Sequence, residues 1–295
     1  MADQQMLSRM SSGRGFIAAL DQSGGSTPGA LRHYGIPDDA YAGDAQMFEL
    51  MHRMRTRIMT APAFTGAKIL GAILFEQTME GEVLGRPVPE FLWHERGIVP
   101  FLKVDKGLEA SSDGVRLMKP ITGLGLLLDR AASLGIFGTK MRSVIEANAS
   151  AGIAEIVRQQ FELAAQITAA GLMPIIEPEV SIGIPDKGAA EASLREAITA
   201  RLDALPAESQ VMLKLTIPDL PDFYRSLIEH PRVARVVALS GGYSRAEACR
   251  RLAENPGLIA SFSRALIEDL RLQSSDEQFN RDLAQAIDEI YAASA

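Results

Sequence analysis

The sequence predicts an α/β protein built as a (β/α)8 barrel of the TIM type, followed by a C-terminal helix. Three observations point there. Eight short apolar runs recur along the 295 residues, segments with helical periodicity lie between several of them, and ionisable residues close most of the runs. Parallel strands buried on both faces read as continuous apolar runs, and eight of them alternating with helices over about 250 residues are enough to close a barrel.

The strand candidates are residues 15–21, 68–75, 98–105, 136–141, 173–180, 211–217, 233–240 and 258–263. Between them, residues 153–170 carry Ile153, Ile156, Val157, Phe161, Ala164 and Ile167 on one helical face. Residues 189–205 place Leu194, Ile198, Leu202 and Leu205 at three- and four-residue steps. Residues 276–293 align Phe279, Leu283, Ile287 and Ile290 and form the final helix. A doubly wound open sheet would use the same elements. Eight comparable units with no second block of composition favour closure, and no Ser/Gly/Pro-rich linker interrupts them, so residues 1–295 are read as one domain.

Composition narrows the function. Hydrophobic residues make up 47% of the chain and charged ones 23%, which supplies a large core and excludes disorder. No apolar run approaches the roughly 18 residues of a membrane span, and residues 1–14 are too polar for a signal peptide. A net charge of -7 argues against nucleic acid or an anionic membrane as partner. One cysteine, Cys249, permits no internal disulfide and fits a reducing compartment, so the expected location is cytoplasmic. Four scattered histidines argue against a zinc site, and the expected cofactor is none. A homo-oligomer is left open.

Active sites on this fold sit at the C-terminal ends of the strands. There the chain carries Asp21, then Lys103 with Asp105, Lys140 with Arg142, Glu177 with Glu179, Lys214, and finally Arg264. Side chains two apart share a strand face. Single charges of this kind are usually solvated strand ends, but six strands of eight ending this way within apolar runs point to a site rich in lysine and carboxylate. Only seven of the 30 cations are lysines. A lysine inside the apolar run 211–217 therefore suggests a role arginine cannot fill, since lysine can lose its proton and attack a carbonyl. Lys214 is the candidate nucleophile; a structural lysine paired with a barrel carboxylate is the plainer alternative. Glu177 and Glu179 suit general acid/base work, because two close carboxylates favour one protonated and one ionised group. Asp21 is a third acid, able to handle a substrate hydroxyl.

Two loops have the composition of phosphate cradles. Ser240, Gly241 and Gly242 follow the seventh run, with Arg264 after the eighth, and Ser23 to Thr27 follow the first. Glycine-rich turns are common, so each loop alone is weak evidence. Two on one rim, with Arg264 and Lys103 near them, fit a substrate carrying phosphate at both ends.

Taken together, Ala18-Ala19-Leu20-Asp21-Gln22-Ser23, Ile73-Leu74-Phe75-Glu76, Leu102-Lys103-Val104-Asp105-Lys106-Gly107, Pro174-Ile175-Ile176-Glu177-Pro178-Glu179, Leu213-Lys214 and Leu239-Ser240-Gly241-Gly242 resemble the class I, Schiff-base-forming fructose-bisphosphate aldolases, in particular their short bacterial branch. The resemblance runs from Gly15 to about Arg264. It implies metal-independent, reversible cleavage of fructose 1,6-bisphosphate to dihydroxyacetone phosphate and glyceraldehyde 3-phosphate, a step of glycolysis and gluconeogenesis. It further implies Lys214 as the Schiff-base lysine and Glu177 as principal acid/base. Asp21 becomes the acid of carbon–carbon cleavage and Lys140 the lysine supporting the imine, with Glu179 and Arg142 as second members of their strand pairs. Ser240, Gly241 and Arg264 correspond to the ketone-side phosphate site, and Ser23, Ser26 and Lys103 to contacts with the other phosphate. The chain departs from animal members at Thr27-Pro28-Gly29-Ala30, where they carry a basic pair, and Tyr291 does not correspond to their terminal tyrosine. An aldolase for another phosphosugar, such as tagatose 1,6-bisphosphate, would share the machinery. A non-catalytic barrel scaffold would have no use for a buried amine.

Overall fold

The computed structural model describes residues 3–294, excepting the side chain of Ser26. Its centre is eight strands: β1 (Phe16–Leu20), β2 (Ile69–Leu74), β3 (Val99–Lys103), β4 (Gly138–Ile145), β5 (Met173–Val180), β6 (Val211–Thr216), β7 (Val233–Leu239) and β8 (Ile259–Ala260). They lie side by side in chain order, parallel throughout. The ring meets where the Ala19 N–H donates to the Phe262 carbonyl, just past β8, at 3.1 Å. Around it stand α1 (Gln4–Ser12), α2 (Thr27–Tyr34), α3 (Gly43–Thr60), α4 (Leu124–Ser133), α5 (Ser150–Ala169), α6 (Lys187–Asp203), α7 (Arg245–Leu252) and α8 (Asp276–Ala293). The expected (β/α)8 barrel with a final helix is present.

Two apolar layers follow from strand alternation. One fills the barrel, with Ile17, Val99, Phe101, Ile175, Met212 and Ile259 among its residues. The other lies between strands and helices, where Ile156 and Phe161 of α5 or Leu194 and Ile198 of α6 are buried. Each fully buried side chain of this size contributes about 1.5–3 kcal/mol. Gly138 makes the inner layer fit: a Cβ there would stand 2.2 Å from the Met173 carbonyl and 2.9 Å from Phe101. Helix α1 covers the N-terminal end. Its N-cap Asp3 accepts hydrogen bonds from the Gln5 and Met6 N–H groups, and its Met6 and Met10 join the barrel interior. Arg235 of β7 ties that end together, donating to the Met10 carbonyl at 2.9 Å and the Gly13 carbonyl at 2.7 Å. The clustered lysines and carboxylates lie at the other mouth.

Most boundaries shift by one to three residues from the sequence expectation, β3 for instance ending at Lys103 so that Asp105 lies beyond it, and three differences bear on the site and its cover. Strand β4 starts at Gly138 rather than 136 and runs four residues past 141, to Ile145. Arg142 and Ser143 interrupt its apolar run, yet it pairs with β5 as far as Ile145↔Val180, and Val115–Arg116 adds an antiparallel edge to its end. Strand β8 shortens to Ile259–Ala260, because the chain beyond turns into the Arg264–Ile267 helical turn. Helix α6 stops at Asp203, so Leu205 lies beyond it as a partly buried cover.

Candidate active site

The ionisable residues on the inner faces of the strands meet at the C-terminal mouth. Lys140 of β4 is the hub. Its Nζ lies 2.7 Å from Asp21 Oδ2, 3.0 Å from Glu177 Oε2 and 3.9 Å from Asp105 Oδ2. Lys214 of β6 reaches the same Glu177 through Oε1, at 3.2 Å. Lys103 of β3 donates to Asp105 Oδ1 at 2.6 Å. Three ammonium groups thus face three carboxylates, and Asp21, Lys140, Glu177 and Lys214 are each less than a tenth exposed. Buried ions of opposite sign in equal number are the arrangement that a low-dielectric site tolerates.

The environments of the two central lysines differ. Burial pushes Lys140 down, but the surrounding Asp21, Glu177 and Asp105 outweigh it and raise its affinity for the proton far above the ordinary lysine value. That favours the protonated form of Lys140, in which an amine is no nucleophile. Lys214 faces one carboxylate, shared with Lys140. Burial pushes Asp21 up, yet Lys140, Lys214 and Lys103 hold its carboxyl well below the usual carboxylate range, so it is ionised at neutral pH. Glu177 Oε2, although close to Lys140, has no hydrogen-bond partner among the described residues, which leaves a buried carboxylate oxygen placed to take or give a proton.

Glu179, two residues along β5, is drawn aside by Arg142, whose Nε donates to its Oε2 at 2.5 Å. Glu177 and Glu179 are two apart on one strand, but they face different cations, Lys140 and Lys214 for the first and Arg142 for the second. Lys140, Lys214, Glu177 and Asp21 are brought together, and Arg142 and Glu179 form an adjoining pair.

The loop Ser240-Gly241-Gly242 follows β7 and leads into α7. Gly241 and Gly242 have φ of +63° and +121°, conformations that need glycine, and a Cβ on Gly241 would meet Ile182 at 2.6 Å. Arg264 is exposed and stands over this loop, its Nη2 3.5 Å from where a Gly242 Cβ would be. Ser261, past β8, is buried and its hydroxyl has no hydrogen-bond partner among the described residues. Ser263 is committed, accepting from Gln22 Nε2 at 2.8 Å. On the other side of the mouth Ser23 is half-buried. The side chain of Ser26 lies outside the described residues, and Lys103 is tied to Asp105.

Sequence reading missed two supports. Gln160 of α5 is fully buried, accepts from the Glu177 N–H at 2.8 Å and donates to Ser143 Oγ at 2.5 Å. The signal was there: Gln160 is a polar residue inside the apolar stripe between Ile156 and Ala164. Thr216, at the end of β6, replaces missing ladder bonds. Regular β5–β6 pairing stops at Ile176↔Leu213, and Thr216 Oγ1 accepts from the Val180 N–H at 2.9 Å and donates to the Val180 carbonyl at 2.7 Å. No group of three or more His, Cys, Asp or Glu suited to a metal ion occurs among the described residues.

Comparison with known proteins gives a consistent result. The family model described as fructose-bisphosphate aldolase class-I matches residues 8–216. A fructose-bisphosphate aldolase class 1 of Synechocystis is 59% identical over 292 residues, covering 99% of this chain and 97% of its own. The protein of the same description from Porphyromonas gingivalis is 52% identical over 292 residues, covering 99% of each. Among solved structures, the fructose-bisphosphate aldolase of Plasmodium falciparum superposes with a TM-score of 0.77 at 21% identity, over 99% of this chain and 96% of that one, a likeness of fold. The chain belongs to the class I fructose-bisphosphate aldolase family.

Proposed function

We propose the following roles in the reaction of the family, the reversible aldol cleavage of fructose 1,6-bisphosphate through a lysine Schiff base. Lys214 attacks the C2 carbonyl to form a carbinolamine. Glu177 protonates the departing hydroxyl, water leaves, and an iminium remains. Asp21, ionised beforehand, takes the C4 hydroxyl proton as the C3–C4 bond breaks. The bond's electron pair flows to the iminium, giving an enamine and free glyceraldehyde 3-phosphate. Protonation of the enamine at C3 and hydrolysis then return Lys214 and dihydroxyacetone phosphate. Lys140 keeps its charge throughout and offsets the carboxylates around it.

The observation that carries this reading is the inequality of the two buried lysines: Lys140 is surrounded by three carboxylates, whereas Lys214 contacts one. The loop Ser240-Gly241-Gly242, with Arg264 and the unengaged hydroxyl of Ser261, suits the ketone-side phosphate. Ser23 and Lys103 suit the second phosphate, and Ser26 is assigned to it by family resemblance. That all eight strands belong to one barrel supports reading the chain as one domain. No helix among the described residues is long and apolar enough to cross a membrane; a cytoplasmic location rests on the single cysteine.

The test is borohydride reduction in the presence of dihydroxyacetone phosphate. Covalent label is expected on Lys214 and absent from Lys214→Met and Lys214→Arg, because a guanidinium forms no imine. Undiminished labelling of Lys214→Met would overturn the assignment. Comparing fructose 1,6-bisphosphate with tagatose 1,6-bisphosphate in the same assay sets the sugar preference.

A further inference from the structure

Of the buried charges outside this scheme, Lys187, Glu191 and Arg245 are ion-paired, and Arg55 differs from them. Arg55, on α3, is 1% exposed, and no carboxylate forms an ion pair with it among the described residues. Burial pushes its guanidinium down to about 10, with the charge of Asp21 opposing, so it stays protonated at neutral pH. Its Nη2 donates to the Gln22 backbone carbonyl at 2.5 Å and its Nη1 to Thr78 Oγ1 at 2.7 Å, while Nε lacks a hydrogen-bond partner among the described residues. A buried cation without a counterion is unfavourable, and methionine would fill similar space without that burden. What the guanidinium adds is a clamp between α3, the end of β1 and the turn after β2.

The clamp acts at a thin seam of the barrel. Strand β1 pairs along its length with β2, but no regular ladder joins it to β8. Across that gap run the Ala19 N–H to Phe262 carbonyl bond and the Gln22 Nε2 to Ser263 Oγ bond. Asp21 lies just past the last ladder residue, Leu20, so sheet pairing does not fix it. Gln22, the next residue, is held by Arg55 at its backbone carbonyl and, at 3.5 Å, its side-chain Oε1, and its Nε2 donates to Ser263.

We propose that Arg55 is a positioning residue for carbon–carbon cleavage: by holding the Gln22 carbonyl it sets the adjoining Asp21 carboxylate where it takes the C4 hydroxyl proton. The inference rests on Asp21 being that base. It separates two halves of the reaction. Imine formation with dihydroxyacetone phosphate uses Lys214 and Glu177, whereas breaking the C3–C4 bond needs Asp21 in register.

The experiment measures both halves in the same preparation of each variant. Arg55→Met should lower kcat for cleavage of fructose 1,6-bisphosphate by about 10²-fold, the scale of a displacement of about 1 Å in a reacting group. KM should be little changed, and borohydride trapping of dihydroxyacetone phosphate should be retained. Because the ratio of cleavage to trapping is internal to each preparation, a smaller folded fraction does not imitate the effect. Should Arg55→Met fail to fold, Arg55→Lys, which keeps the buried charge but holds one acceptor, and Thr78→Val carry the test with a smaller split in the same direction. Cleavage and trapping that stay unchanged, or fall together, overturn the proposal. Asp21→Asn is the reference: it must show the split, and if it does not, the role of Asp21 has failed and the clamp with it. A split in Asp21→Asn but not in the Arg55 variants removes the clamp alone.

Discussion

Lys140 and Lys214 are joined through a single carboxylate, that of Glu177, whose Oε2 lies 3.0 Å from one ammonium and Oε1 3.2 Å from the other. The residue proposed to move protons is therefore already in contact with the amine proposed to attack. Its second oxygen borders a cation that does not give up its proton.

Glu177→Gln should keep shape and lose function. The amide is nearly isosteric but cannot exchange protons, so kcat should fall by about 10²–10⁴-fold with little change in KM. Steady-state kinetics check this; a large rise in KM at constant kcat would contradict it.

The Asp21–Lys140 pair sets an acid limit on stability. The folded-state pKa of Asp21 is depressed, so its contribution is complete above the unfolded value of about 3.9 and fades as pH falls through the window beneath it. Asp21→Asn should accordingly lower Tm at neutral pH, and the difference from the parent should shrink below about pH 4. Lys140 behaves inversely. Its folded-state pKa is raised, so its contribution is complete below the unfolded value of about 10.4 and lost as pH rises beyond it. Thermal unfolding across pH measures both.

Arg264→Ala should weaken substrate binding rather than chemistry. Losing one charge-assisted phosphate contact costs about 1.5–3 kcal/mol, or roughly one to two powers of ten in kcat/KM. The loss should appear in KM, and it should be greater for the bisphosphate than for a monophosphate lacking the group it holds. An unchanged KM would assign the phosphate to the Ser240-Gly241-Gly242 loop and Ser261 without the arginine.

Thr216→Val should destabilise the barrel where β5 and β6 part. It strands the Val180 N–H and carbonyl that Thr216 Oγ1 now engages, at about 1–3 kcal/mol. Thr216→Ser keeps the hydroxyl and should lose much less, as read by chemical denaturation.

The chain by itself determined the barrel and singled out the groups proposed to react. Strands buried on both faces must be apolar along their length, so the run at 211–217 and its counterparts were visible, and a lysine at position 214 stood out within one. Alternation placed Lys103 with Asp105, Lys140 with Arg142 and Glu177 with Glu179 on shared faces, because period two is a local property. The pairing among those groups was not local. That Lys140 takes Asp21, Glu177 and Asp105, while Lys214 shares Glu177 and Arg142 takes Glu179, depends on strand order and register around a closed ring, which bring residues 21, 105, 140, 177 and 214 to one mouth. The far end of β4 was hidden for a related reason: Arg142 and Ser143 read as a strand terminus until tertiary structure supplied Glu179 and Gln160 as their partners. Arg55 lay in no element read from the sequence, and Gln160 was passed over as one polar residue within an apolar stripe. Only packing against β1 and β5 buried them, and burial turns a polar side chain into a structural constraint, since each donor and acceptor must then find its partner inside the protein.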